Sequence, residues 1–263
     1  MIHNLARLLR YRGLIQSLVA RELKARYRGS VLGFFWSFVN PLLLLLVYTF
    51  VFAYVLPQRV EGLDHYALFM FCGILPWTWF ASSLTEASGV LISGGNLIKK
   101  VLFPAEILPI VTVLANMVHF FLGLPILGAF LLYNREPIAF PEILWFPVIV
   151  AVQLLLTLGF ALVLSALTVH FRDIRDILSN VLTLWFFATP IIYPWFRAPE
   201  AAKRFLNFNP MTHLVVSYQE VLFFDGPFGH WKWLLALGAG SMAFFMVGYF
   251  LFDRLRDTFA EEV

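Results

Sequence analysis

Hydrophobic residues run along this chain in long blocks, separated by short charged turns, with no alternating stretches of the kind that make a half-buried strand. Val31 to Leu56 contains no charged residue. Read as a helix at 1.5 Å per residue, that block is about 39 Å long, more than the roughly 30 Å of hydrocarbon in a bilayer. Blocks of the same kind predict further spans at about 66–92, 107–133, 143–169, 177–194 and 232–252. The fold expected is therefore all-α: a polytopic membrane protein with six transmembrane helices in one domain over 29–263.

The polar positions organise what lies between the blocks. In residues 1–28, Ile15, Leu18, Val19 and Leu23 fall on one arc of a helical wheel and Arg21, Lys24 and Arg28 on the other. That is the pattern of an amphipathic helix lying in the headgroup plane. Glu22 stands four residues before Arg26, the favourable order for an intrahelical ion pair. Gly29 and Gly33 frame a bend into the first span, and Pro41 inside it frees the Ser37 carbonyl, so a kink is expected. At 93–106 the glycines and Asn96 stop a helix, while Lys99 and Lys100 mark a cytoplasmic turn. Residues 195–231 mix charges with apolar patches and are expected to be re-entrant or interfacial, packed on protein at membrane depth.

Composition sharpens the class. The chain has 263 residues, 60% of them hydrophobic and 13% charged, against about 25% charged in a soluble domain. Its net charge of +3 comes from basic residues beside apolar spans, so membrane lipid and not nucleic acid is the expected partner. The single cysteine, Cys72, can form no intrachain disulfide. Seven Lys and Arg precede Gly29, and Lys99, Lys100, Arg172, Arg175, Arg254 and Arg256 share their side. Arg59, Arg135, Arg197, Lys203, Arg204 and Lys232 fall on the other, so both termini are expected in the cytoplasm.

Candidate chemistry is sparse. There is no GxxxxGK[ST] phosphate loop, no HExxH and no paired-cysteine site. No enzyme activity, bound cofactor or metal is expected of this chain. Asp173 and Asp176 alternate with Arg172 and Arg175, which suits a self-paired turn better than a metal site. Glu86 is an acid inside a span and so a functional candidate, although Ser82, Ser83, Thr85 and Ser88 around it also suit simple hydrogen bonding. Asn116 and His119, three apart, can join helices or line a path. Aromatics make up 17% of the chain. Trp36, Trp77, Trp79, Tyr193, Trp195 and Tyr218, near the ends of broken helices, are candidates for stacking sugar rings along a conduit.

Three stretches together resemble one family. RELKARYRGSVLGFFWSFVNP resembles the N-terminal signature of type-2 ABC-transporter permeases that export polysaccharides, the O-antigen, capsule and teichoic-acid permeases, with Glu22 at the usual Asp position. GGNLIKKVLFPAEILP resembles their segment between spans two and three. RDIRDILSNVLTLWFFATPIIYP followed by LNFNPMTHLV resembles their fifth span and re-entrant part.

The resemblance implies a homodimer in the bacterial cytoplasmic (inner) membrane, joined by two copies of an ATPase subunit that hold ATP and Mg. It implies that 93–106 carries the ATPase coupling helix, with Asn96, Leu97, Ile98, Lys99, Lys100, Val101, Leu102, Phe103, Pro104 and Glu106 as contacts. Arg21, Lys24, Arg26 and Arg28 would meet the diphosphate of a polyprenyl-diphosphate-linked glycan. Trp36, Pro41, Trp77, Trp79 and Glu86 would belong to the conduit, and Pro190, Tyr193, Pro194, Asn209, Pro210 and Tyr218 to an outer gate. The competing expectations are a type-2 permease for a drug or small lipid, and a membrane-embedded lipid-linked sugar transferase.

Overall fold

The computed structural model describes residues 11–55, 63, 65–95, 104–135 and 141–262. Helix α1 (Arg12–Arg26) is the amphipathic segment. Its apolar arc does not face lipid alone: Leu18 is buried against Ile107 and Val111, with Leu14, Ile15 and Val19 packed around them. Arg21, Lys24 and Arg28 are exposed on the opposite side. The chain then turns at Gly29 and Gly33, whose φ angles of +81° and +50° are left-handed. That conformation costs an L side chain energy, so glycine belongs at both corners.

A single 3-10 turn (Gly33–Phe35) leads into α2 (Trp36–Phe50), which carries Pro41 within it and widens into a π turn at Val51–Val55. Helix α3 (Tyr66–Ser93) follows, then α4 (Ile107–Tyr133) and, after a 3-10 turn at Glu142–Trp145, α5 (Phe146–His170). Helix α6 (Ile174–Phe187) ends before Pro190, and a 3-10 turn at Trp195–Arg197 leads to α7 (Glu200–Leu206), α8 (Pro210–Leu222) and the long α9 (Trp231–Glu262).

Helix α3 is the centre. Of its most apolar stretch 78% of residues are buried, against 11% for the first span and 28% for α9. A helix apolar on every side must be covered on every side, and α3 packs on α2, α4, α5, α6 and α8. Where it carries Pro76, the buried Gln153 of α5 donates to the Pro76 carbonyl at 2.8 Å. Helices α5 and α9 cross closely: a Cβ on Gly248 would lie 2.9 Å from the Gly159 carbonyl oxygen, and one on Gly159 2.7 Å from the Phe244 ring. Small residues let two helices in lipid approach to backbone contact, where dispersion is strongest.

Five helical segments among the described residues are long and apolar enough to cross a membrane: Gly33–Phe50, Tyr66–Ser93, Ile107–Tyr133, Glu142–His170 and Trp231–Arg256. The sixth expected span, 177–194, is helical over part of its length. Its helix α6 has 14 residues, about 21 Å, which is short of the hydrocarbon thickness. Pro190 stops it, because proline lacks the N–H and disfavours helix in the residue before it. Residues 195–231 contain α7 and α8; nearly all of α8 is buried, its N-terminus capped by Asn209.

Candidate functional site

The site is built around the C-terminal half of α3, where an acid stands inside a span. An ionised carboxylate in such a place requires a partner. Glu86 accepts from the Arg26 guanidinium, an ion pair between α1 and α3. The Asn116 amide of α4 donates to the same carboxylate oxygen at 2.8 Å, and Arg26 Nη1 donates to Asn116 Oδ1 at 3.0 Å. Glu22 approaches Arg26 Nε at 3.9 Å. Beside this triangle, Ser37 Oγ donates to the Tyr27 hydroxyl at 2.8 Å, and Tyr27 faces His119 Nδ1 at 3.4 Å. Four helices, α1 to α4, are thus tied by polar contacts at membrane depth.

Two cavities flank α3 here and share Ser82. One, of 390 Å³, lies among α1, α2, α3 and α4 and is lined by Arg26, Tyr27, Trp36, Ser37, Asn40, Pro41, Thr78, Trp79, Asn116 and His119, among others. The other, of 450 Å³, lies between α3 and α6 and is lined by Trp77, Ala81, Ser82, Thr85, Glu86, Ser179, Leu182, Thr183 and Phe186. Only Leu178 and Leu182 of α6 are buried. Its exposed side carries Asp176, Ser179, Asn180 and Thr183 at positions i, i+3, i+4 and i+7, one polar stripe along the helix. Hydroxyl, amide and carboxyl groups on a helix at this depth require water or polar partners. The groove between α3 and α6 is therefore polar on both walls, with Ser82, Thr85 and Glu86 on one and Ser179 and Thr183 on the other. That spacing was legible in the sequence, and a reading of 177–194 as a plain span passed over it.

Between the end of α6 and the start of α8, Asn209 is a junction. Its Oδ1 accepts from Trp185 Nε1 at 2.7 Å and from the Met211 N–H at 3.0 Å, while Nδ2 donates to the Ala188 carbonyl at 3.1 Å and to Thr189 Oγ1 at 3.0 Å. The Gln219 amide donates to the Pro190 carbonyl at 3.1 Å, and the Tyr66 hydroxyl to that of Ile192. The turn 190–194 is thereby pinned to α3 and α8. A histidine pair absent from the sequence reading joins α8 to α9: His213 Nδ1 and His230 Nε2 are 3.3 Å apart, and the Glu220 carboxylate accepts from the Gly229 and His230 N–H groups at 3.0 Å each. His213 stacks on Trp233 with ring centroids 4.7 Å apart. Burial pushes the His213 imidazole below the ordinary histidine range, opposed by its hydrogen bond to the Asn207 carbonyl.

The structure divides the residues singled out in the sequence. Trp36, Pro41, Trp77 and Glu86 line the two cavities. Trp79 lines one edge, but it is 2% exposed, donates to the Val113 carbonyl at 3.2 Å and stacks on Phe120. Tyr218 is a correction: it is 0% exposed, wedged against Phe120 and Phe146, and so belongs to the core and not to a conduit wall. Arg26 differs from Arg21, Lys24 and Arg28, since its guanidinium is engaged by Glu86 and Asn116 while the other three are exposed. Pro190 and Pro194 are buried, Asn209 and Pro210 start α8, and Tyr193 lines a cavity of 470 Å³ with Arg197 and Phe205. Trp195 meets His230 edge-on. Of the expected coupling contacts, Asn96, Leu97, Ile98, Lys99, Lys100, Val101, Leu102 and Phe103 lie outside the described residues. Pro104 precedes α4, and Glu106 is buried with one carboxylate oxygen lacking a hydrogen-bond partner.

Among the described residues no group of three or more His, Cys, Asp or Glu side chains is placed to hold a metal ion.

The ABC-2 type transporter family matches residues 13–223. An O-antigen export system permease protein of Myxococcus xanthus is 41% identical over 266 residues, covering 100% of both chains. One from Klebsiella pneumoniae is 34% identical over 250 residues, 94% of each chain. The polysialic acid transport protein of Escherichia coli is 22% identical over 221 residues, 79% of this chain and 80% of its own.

Proposed function

This chain belongs to the ABC-2 type transporter family, and we propose that it is the membrane permease through which a polysaccharide, most simply an O-antigen-type glycan on a polyprenyl diphosphate, leaves the cytoplasm. The observation that carries this reading is the groove between α3 and α6, whose wall of Ser82, Thr85, Glu86, Ser179 and Thr183 is polar at a depth where lipid would demand apolar side chains. Trp77 and Phe186 at the same groove suit the apolar face of a sugar ring, while its hydroxyls stay hydrated.

A groove open on one side needs a second wall. A second copy of this chain would supply one, its own α6 stripe facing the first across a shared path in the inner membrane. The full-length likeness to two O-antigen export permeases supports the substrate class. Work would come from ATP and Mg on a separate ATPase subunit, one for each copy, acting through the segment 93–106 on a dimer with two arrangements. Both chain ends would lie in the cytoplasm, as the distribution of Lys and Arg suggests.

Deleting the gene in a strain without a redundant exporter should leave lipid-linked glycan accumulating inside the cell. The wild-type chain should restore surface polysaccharide. A Thr183→Trp chain, altered at an exposed position of the groove, should insert normally without restoring it. Normal surface polysaccharide in the deletion strain would overturn the reading.

The exposed face of α1 offers a second test. Replacing Arg21, Lys24 and Arg28 together by Gln removes about 1 kcal/mol of attraction per residue to an anionic surface. Export measured as surface glycan should fall several-fold with insertion unchanged, since Leu18 and its neighbours still hold α1 to α4. Unaltered export would reduce the helix to an anchor.

A further inference from the structure

The cavity among α1, α2, α3 and α4 is lined by hydroxyl, amide and imidazole side chains and by one guanidinium, with no carboxylate among its described lining residues. Among the described residues lining it, Arg26 carries the one full charge. The guanidinium has five N–H groups, of which Nη1 is taken by Asn116 and Nη2 by Glu86, while Nε stands 3.9 Å from Glu22, beyond hydrogen-bond distance. His119 adds another donor. Ser37 donates to the Tyr27 oxygen, which leaves the Tyr27 proton for His119 Nδ1 and places the imidazole proton on Nε2. That Nε2 is buried without a hydrogen-bond partner. Buried donors left unpaired are costly, and the ligand that satisfies them brings several acceptor oxygens and negative charge.

Glu86 is the acceptor that occupies Arg26 in this arrangement, and it faces the other way, into the groove between α3 and α6. The pair therefore stands in the wall between the two cavities, next to the shared Ser82. It is not deeply buried: the side chains are 22% and 39% exposed for Arg26 and Glu86. Exposed pairs are held weakly enough to exchange partners.

We infer that the Arg26–Glu86 ion pair is exchanged by the substrate: the phosphate-bearing head group of a lipid-linked substrate, seated in the α1–α4 cavity, takes the guanidinium from Glu86 and releases that carboxylate into the conduit. A phosphate presents oxygens in the geometry that a guanidinium fork binds bidentately, which a single carboxylate oxygen shared with Asn116 does not. Arg26 is thus a recognition residue held in reserve, and Glu86 sets the threshold. The inference rests on the export reading for its ligand, and it makes a separate prediction about binding.

The test uses the permease–ATPase complex in lipid nanodiscs, with farnesyl diphosphate as the probe, inorganic diphosphate as a second arm and farnesol as the uncharged control. Glu86→Gln keeps the shape and removes the competing charge. It should tighten the farnesyl diphosphate dissociation constant about two- to fivefold, the range expected for removing an exposed ion pair. Arg26→Gln should abolish the tightening when combined with it, and farnesol binding should be insensitive to both. The same Glu86 dependence with inorganic diphosphate would place recognition in the phosphates alone, whereas its absence would show that the lipid tail is needed to seat them. Both support the exchange. Glu86→Ala serves as the second variant should the Gln form assemble poorly. Unchanged or weaker farnesyl diphosphate binding in a carboxylate-free variant overturns the inference, even where the deletion strain still accumulates glycan and the export reading stands.

Discussion

Asn209→Ala should be the most damaging single substitution between α6 and α8, lowering stability by about 3 kcal/mol and abolishing export. Its carboxamide makes four hydrogen bonds that join the end of α6 to the start of α8. Losing the cap on α8 costs about 1 kcal/mol. Leaving the Trp185 indole N–H without its acceptor in a half-buried place costs about 1–3 kcal/mol more, while the Thr189 hydroxyl keeps its bond to the Trp185 carbonyl. Asn209→Asp separates the two halves of this account. It retains the acceptor for Trp185 and Met211 but sets a carboxylate oxygen against the Ala188 carbonyl, so it should fall between wild type and Ala. Thermal unfolding of the purified chain in detergent reads the order directly. A melting temperature for Asn209→Ala within a degree of wild type would show that the junction is redundant.

The second large effect is at the crossing of α5 and α9, where Gly248→Ala should destabilise and Gly240→Ala should not. Both glycines lie on α9, eight residues apart. A methyl on Gly248 would sit 2.9 Å from the Gly159 carbonyl oxygen and 3.1 Å from Val163, and backbone cannot move aside as a side-chain tip can. Overpacking of this kind costs about 1–3 kcal/mol. At Gly240 nothing lies within 4 Å, so alanine there should be neutral or stabilising by up to about 1 kcal/mol through helix propensity. Opposite signs from the same substitution on one helix would tie the effect to the crossing. Equal effects in unfolding experiments would show that α5 and α9 separate at little cost.

Much of the architecture was legible before any coordinates. The uncharged blocks marked the long helices, and the glycines at 29 and 33 marked the turn from surface helix to span. The wheel of α1 separated Leu18 from Arg21 and Lys24. These are local properties, decided by hydropathy and by the backbone preferences of a few residues. The polar contacts were legible only in part. Asn116 could be recognised as a residue that joins helices, but its partners Arg26 and Glu86 lie 90 and 30 positions away. Nothing in the spacing of a chain announces such a pairing. Tyr218 shows the same limit from the other side: an aromatic near a broken helix reads equally as a wall or as core, and the neighbours Phe120 and Phe146 made it core.

The sequence by itself determined that this protein lives in a membrane, that it is helical, and where most of its helices begin and end, because lipid forbids an unpaired backbone and rewards uninterrupted apolar runs. Only the tertiary structure decided which of those helices are covered and which are left open. Helix α3 is enclosed because five other helices meet on it. Helix α6, stopped short by Pro190, buries two leucines and leaves its polar stripe beside the Glu86 groove. Arg26 follows the same rule: its place in the chain groups it with the basic surface of α1, and its place in space sets it against Glu86 of α3 and Asn116 of α4, which the folding of the helices brings to it.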